Sequence, residues 1–199
     1  MFETVVQKIV DDQIEKGALA AEDRNIYLYG YQMLFEFFVN IATSIIIAVV
    51  FQAYMIVFVF TIAYLLLRGY VGGYHAKTSL GCFCCSAGML IASVLMVKAV
   101  AGMVFGNWFF LLEIIMLPCV FHRTPMPDVN KPITENESIH FNKKVKQIYS
   151  IELIIELIFL FCGLQVPALS IWAVHVVLFI MVLVDFLLKR TRIECERDN

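Results

Sequence analysis

Six apolar stretches, at about 31–50, 54–67, 83–101, 107–121, 148–163 and 167–188, fill most of this 199-residue chain, and the segments between them hold nearly all its charge. Such runs satisfy their backbone in lipid as helices, because hydrocarbon offers no partner to an open N–H or C=O. The sequence therefore predicts an all-α integral membrane protein with about six transmembrane helices. Several stretches fall short of the ~20 residues that cross ~30 Å of hydrocarbon, so tilt or flanking residues must supply the remainder. The 107–121 stretch is short enough for a re-entrant segment. Composition agrees, since 61% of residues are hydrophobic and 16% charged, too few polar groups to cover a water-exposed surface. At a net charge of −2 the chain shows no basic face of the kind that nucleic-acid binding requires.

Orientation follows Lys and Arg in short loops. Lys8, Lys16 and Arg24 precede the first stretch; Arg68 and Lys77 follow the second; Arg123, Lys131, Lys143, Lys144 and Lys146 follow the fourth; Lys189, Arg190, Arg192 and Arg197 follow the sixth. Of the 15 basic residues, Lys98 alone falls on the other side. Both termini are expected in the cytoplasm. Phe2, Val5, Val6, Ile9, Val10 and Ile14 recur at helical spacing opposite Glu3, Gln7, Lys8, Asp11, Asp12 and Glu15, which predicts an amphipathic helix lying in the membrane interface. The expected organisation is one membrane-embedded domain over 1–199, with 1–24 interfacial and 25–199 a helical bundle. No signal peptide is expected, because 1–16 is charged throughout and has no apolar core.

Against this background one stretch stands apart: "LRGYVGGYHAKTSLGCFCC", Leu67 to Cys85, crowds Arg68, Gly72, Gly73, His75, Lys77 and three Cys at the cytoplasmic edge of the bilayer. A Cys and a His make a nucleophile and its base, the imidazole taking the thiol proton before the sulfur attacks a carbonyl. On a straight helix His75 and Cys82 would stand about 10 Å apart, too far for a hydrogen bond, so the chain must bend between them. Gly72, Gly73, Thr78, Ser79 and Gly81 supply turn and cap chemistry for that bend. With Ser79 as a cap, Cys82 would be the third helical residue, where the positive end of the helix dipole favours a thiolate. The plainer reading makes the His a solvated interface residue and each Cys a small hydrophobe. Metal binding by His75, Cys82, Cys84 and Cys85 is a further reading, but adjacent Cys84 and Cys85 diverge on a helix and the H-x₃-H spacing is absent. No metal and no cofactor is expected. The six Cys lack the regular spacing of a disulfide framework and read as thiols in a reducing compartment.

The segment "LRGYVGGYHAKTSLGC" resembles the active-site stretch of the AgrB-like (accessory gene regulator B) family, membrane cysteine endopeptidases that process quorum-sensing peptide precursors in Gram-positive bacteria. The resemblance continues in "IYLYGYQMLFEFFVN" (Ile26 to Asn40) and "PMPDVNKPIT" (Pro125 to Thr134). It implies Cys82 as nucleophile and His75 as its base, with Arg68 and Gly73 at positions that support activity. It gives no role to Cys84 or Cys85. The implied partner is a short precursor with an amphipathic leader and an acidic C-terminal tail. The tail is cut off, and the new carboxyl group stays as a thioester on Cys82 until a substrate thiol or hydroxyl closes a thiolactone or lactone. The implied location is the Gram-positive cell membrane, multi-pass, with the site on the cytoplasmic side. The family and the short spans together favour a homodimer.

Lys131, Lys143 and Lys144, with Arg123 and Lys146, suit an acidic tail, and equally serve as a topology signal. Glu36, Asn40, Glu113, Glu152, Glu156, His175 and Asp185 are costly in lipid and are expected to face the bundle interior or the interface. Of these, Glu152 and Glu156, one turn apart near the cytoplasmic end of the fifth stretch, are the candidates for substrate binding. No third residue orienting His75 is identifiable. A small-solute membrane transporter is the alternative function, drawing on the same buried carboxylates, but no internal repeat or paired broken helix supports it.

Overall fold

The computed structural model describes residues 2–72, 79–102, 109–126 and 134–197. Among these residues its elements are a short 3₁₀ helix at Ala21–Asp23 and seven α-helices: α1 Phe2–Glu15, α2 Arg24–Val50, α3 Tyr54–Val71, α4 Ser79–Ala101, α5 Phe109–Arg123, α6 Glu135–Phe161 and α7 Gln165–Arg197. Among the described residues four segments are long and apolar enough to cross a membrane: Ala21–Val50, Tyr54–Val71, Leu80–Ala101 and Gln165–Leu187. Of the remaining two expected spans, α5 has 15 residues, about 22 Å of helix, and α6 is apolar only in its second half.

The chain divides into two compact units, Met1–Ser44 and Ile45–Asn199. In the first, α1 is closed off by Gly17, two residues past its last, whose φ of 70° lets the Ala18 N–H reach back to the Gln13 carbonyl at 2.9 Å. Arg24 then grips Asp11 through Nε and Nη2 at 2.7 and 3.1 Å, and the Tyr31 hydroxyl lies 3.0 Å from Gln13 Oε1. Glu36 and Asn40 are managed locally, with Asn40 Nδ2 donating to the Glu36 carbonyl at 2.8 Å.

In the second unit α7 is the central element, packing against α3, α4, α5 and α6. Leu169, Ala173, Val174 and Leu178 of α7 are fully buried, with Leu67, Val94, Val97, Val120 and Val145 from its neighbours. The outward faces are apolar too: Ile45, Phe58, Ile114, Ile154 and Ile180 are exposed, and Phe161 is 92% exposed. A surface of that kind belongs against lipid.

Named contacts assign the two ends of this unit. At one end the Met126 N–H donates to the Val71 carbonyl at 2.9 Å, Tyr70 packs edge-on to Phe141, and Arg123 lies 4.1 Å over the Phe186 ring. At the other end Lys98 Nζ donates to the Phe51 carbonyl. That carbonyl belongs to the turn where α2 closes through Gln52, at φ 48°, with the Ala53 N–H on the Ala48 carbonyl at 2.9 Å. Lys98, the exception to the charge pattern, thus satisfies a carbonyl at a helix end.

Candidate active site

The reactive stretch begins where α3 stops. Gly72 takes φ 73° and ψ −147°, a conformation open to glycine, and a Cβ there would collide with the Met126 carbonyl oxygen. Arg68, one turn earlier, folds its Nη1 back to donate to the Gly72 carbonyl. The guanidinium caps the end of its own helix and fixes the direction in which the chain leaves. Tyr64, another turn back, lies within electrostatic range of both Arg68 and Cys82.

Cys82 is the fourth residue of α4, since the helix starts at Ser79. The sequence argument placed it third, with Ser79 outside the helix as cap; Ser79 is instead the first helical residue. Cys82 remains within the first turn, where backbone N–H groups lack intrahelical acceptors and the dipole favours a negative charge. The thiol is half-buried, while Cys84 and Cys85 are exposed on the same helix. Gly73 and His75, in the interval between α3 and α4, and Lys131, in that between α5 and α6, lie outside the described residues.

The start of the central loop is tied to this place. A parallel bridge pairs Gly72 with Met126, and Asn142 Nδ2 of α6 donates to the Phe121 carbonyl at 3.0 Å and to the Thr124 carbonyl. Arg68 at the end of α3, the last turn of α5 and the polar half of α6 therefore share one end of the unit. Lys143 on that half is exposed and Lys144 half-buried.

Glu152 and Glu156 lie deeper, with 4% and 0% exposure, and face the bundle interior rather than an open surface. They converge with Glu113 of α5 on His175 of α7, which is itself fully buried. Tyr149 of α6 donates its hydroxyl proton to Glu113 Oε1 at 3.0 Å and stacks on the His175 ring with centroids 3.9 Å apart. Sequence reasoning expected Glu113, Glu152, Glu156 and His175 at the bundle interior or the interface, but not that they meet. Tyr149, seven and three residues before the two Glu partners on one helical face, carried the signal for its own part.

The model of the family described as Accessory gene regulator B matches residues 2–188. The chain belongs to that family. Membership places it among the membrane-embedded processing proteins of accessory gene regulator quorum sensing. No curated protein and no solved structure matches the chain.

Proposed function

We propose that the chain is a cysteine endopeptidase that removes the C-terminal tail from a short quorum-sensing precursor peptide and carries the peptide forward as a thioester on Cys82. The observation that carries this reading is the break between α3 and α4. It leaves Cys82 in the first turn of the helix that follows the Arg68 and Gly72 turn, with only residues 73–78, His75 among them, to join the two helices.

In the proposed cycle His75 takes the Cys82 thiol proton and the sulfur attacks the scissile carbonyl. The carbon–nitrogen bond breaks, the departing amine takes the proton from the imidazolium, and the tail leaves. A thiol or hydroxyl of the bound peptide then attacks the thioester, closing a thiolactone or lactone and returning a proton to Cys82. Excluding water and holding the internal nucleophile close favour ring closure over hydrolysis, and a site at the bilayer edge supports both. Arg68 acts as a positioning residue through the Gly72 turn, and Gly73 follows it directly. Lys131, Lys143 and Lys144 attract the acidic tail. The bilayer delivers the amphipathic leader to the same face. The chain crosses the Gram-positive cell membrane six times with both termini and this site cytoplasmic, and works as a homodimer.

The test uses a precursor whose ring-closing Cys or Ser is replaced by Ala, so that the acyl group has no internal acceptor. A hydroxylamine-labile adduct should accumulate on the wild-type protein and not on Cys82→Ala. Release of truncated linear peptide with no adduct, even in rapidly quenched samples, would overturn the acyl-transfer step.

A further inference from the structure

Three helices deliver their costliest side chains to one buried point. His175 Nε2 lies 3.2 Å from Glu152 Oε2, while Nδ1 faces both Glu113 Oε1 and Glu156 Oε2, the latter at 3.5 Å. The residues are 0 to 4% exposed. Neither oxygen of Glu156 accepts a hydrogen bond, and Glu113 Oε2 and Glu152 Oε1 also have none. Ionised carboxylates in a dry interior persist only with a counter-charge, and buried carboxylates with spare lone pairs around one imidazole nitrogen are a donor set for a cation.

We propose that Glu113, Glu156 and His175 bind a divalent transition-metal ion in the middle of the bundle. One ligand atom from each lies within 4.8 Å of the others. The 3.5 Å from Nδ1 to Glu156 Oε2 is close to the edge of about 3.4 Å that a tetrahedral ion with ~2.1 Å bonds requires. The imidazole is already oriented for it. In the tautomer that carries the proton on Nε2, Glu152 accepts it at 3.2 Å and the Nδ1 lone pair is free for an ion held between the two carboxylates; a carboxylate on the far nitrogen is the usual partner of a metal-bound His. Tyr149 does the same for Glu113, its hydroxyl fixing Oε1. A small rotation of the Glu113 carboxylate exchanges its present contact with Nδ1 for a shared ion. One nitrogen and two carboxylate oxygens suit Zn²⁺, Mn²⁺ or Co²⁺, and the lack of thiolate excludes a soft-metal preference. The ion's work is structural: it clamps α5 and α6 to α7, and so steadies the end of α5 that bonds to the Val71 turn. Because the ligands come from positions 113, 156 and 175, no local spacing betrays them.

The full-length protein, purified in detergent, is analysed for bound metal, then stripped with chelator and titrated with Zn²⁺, Mn²⁺ and Co²⁺ separately. The expected result is about one ion per chain, a rise in melting temperature on re-addition, and for Co²⁺ a visible spectrum without thiolate charge transfer. Glu156→Gln, which keeps the volume, should weaken binding at least about tenfold, whereas Cys82→Ala should bind like wild type. If Glu156→Gln does not fold, the wild-type Co²⁺ spectrum and melting shift decide. The proposal is overturned if wild-type protein holds no stoichiometric metal and none of the three ions shifts its melting temperature, the result expected if protons alone neutralise the cluster. Equal binding by Glu156→Gln, or a thiolate spectrum, also overturns it. Each readout is independent of precursor cleavage.

Discussion

Gly72 leaves α3 with a positive φ and its Cα against the Met126 carbonyl, so any Cβ there meets both strain and a collision. Gly72→Ala should therefore destabilise the protein by about 1–3 kcal/mol and depress precursor cleavage, whereas Gly69→Ala, in open space within α3, should do neither. Melting temperature in detergent and a cleavage assay on both variants check the contrast. At the same turn, Cys82→Ala and His75→Ala should each abolish cleavage, while Cys84→Ala and Cys85→Ala, at exposed positions on α4, should leave most of it. Comparable loss in all four would count against a Cys82 and His75 pair. The need for a bend here was legible, because two adjacent glycines and a dyad seven residues apart cannot be served by a straight helix. Which glycine turns was not. That depends on Met126, more than fifty residues away, and on an Arg68 side chain that the sequence marked only as a topology charge and, through the resemblance, as a support for activity.

Helix α6 shows where hydropathy stops informing. The apolar stretch at 148–163 announces a span, yet the helix begins at Glu135, and its first half is polar. The start is written in "TENE": the Thr134 N–H and hydroxyl bond Glu137 Oε2 at 2.9 and 2.8 Å, and the Glu137 N–H returns a bond to the Thr134 hydroxyl at 3.4 Å. Thr134→Ala should cost about 1 kcal/mol and fray this first turn, visible as faster amide exchange over 135–138 with the apolar half unchanged. The amphipathic helix expected near the N-terminus matches α1 at Phe2–Glu15, because a 3.6-residue period is a local property. Its tether was not local. Hydrogen bonding from Arg24 is the main influence holding the Asp11 carboxyl below its ordinary value of 3.8, opposed by desolvation and aided by the Arg24 charge. A group whose value is lowered on folding contributes stability above its unfolded value and loses it as pH falls through the folded one. The α1 tether should thus hold at neutral pH and release only below about pH 4, a step in amide exchange that Asp11→Asn removes.

Across the whole molecule, sequence and contacts speak to different halves of one question. Charge segregation names a side of the membrane for each loop but not which helix ends touch there, whereas hydrogen bonds and packing name the shared end but not the side. Together they give a discriminating experiment. Met126 bonds to Val71, so α5 returns to the end at which α3 stops, and the tie from Asn142 to Phe121 and Thr124 starts α6 from that end. If α5 and α6 both cross, short as α5 is, Glu135 lies on the side of Arg68, and the turns at Gln52 and Leu164 lie on the other. If neither crosses, Glu135 lies with Gln52 and Leu164, since α4 has already carried the chain across. The basic residues around the α5–α6 loop are those expected of a cytoplasmic loop, and so predict the first arrangement with its side in the cytoplasm. Single Cys probes at Gln52, Glu135 and Leu164, in a background whose other cysteines are Ser, should therefore react with a membrane-impermeant maleimide on intact cells at Gln52 and Leu164. Glu135 should react only after the membrane is opened. Labelling of all three on intact cells would reduce the count to four spans and place the α5–α6 loop outside, away from the Cys82 end. Labelling of Glu135 alone would invert the protein and remove Cys82 from the reducing compartment that its thiol chemistry requires.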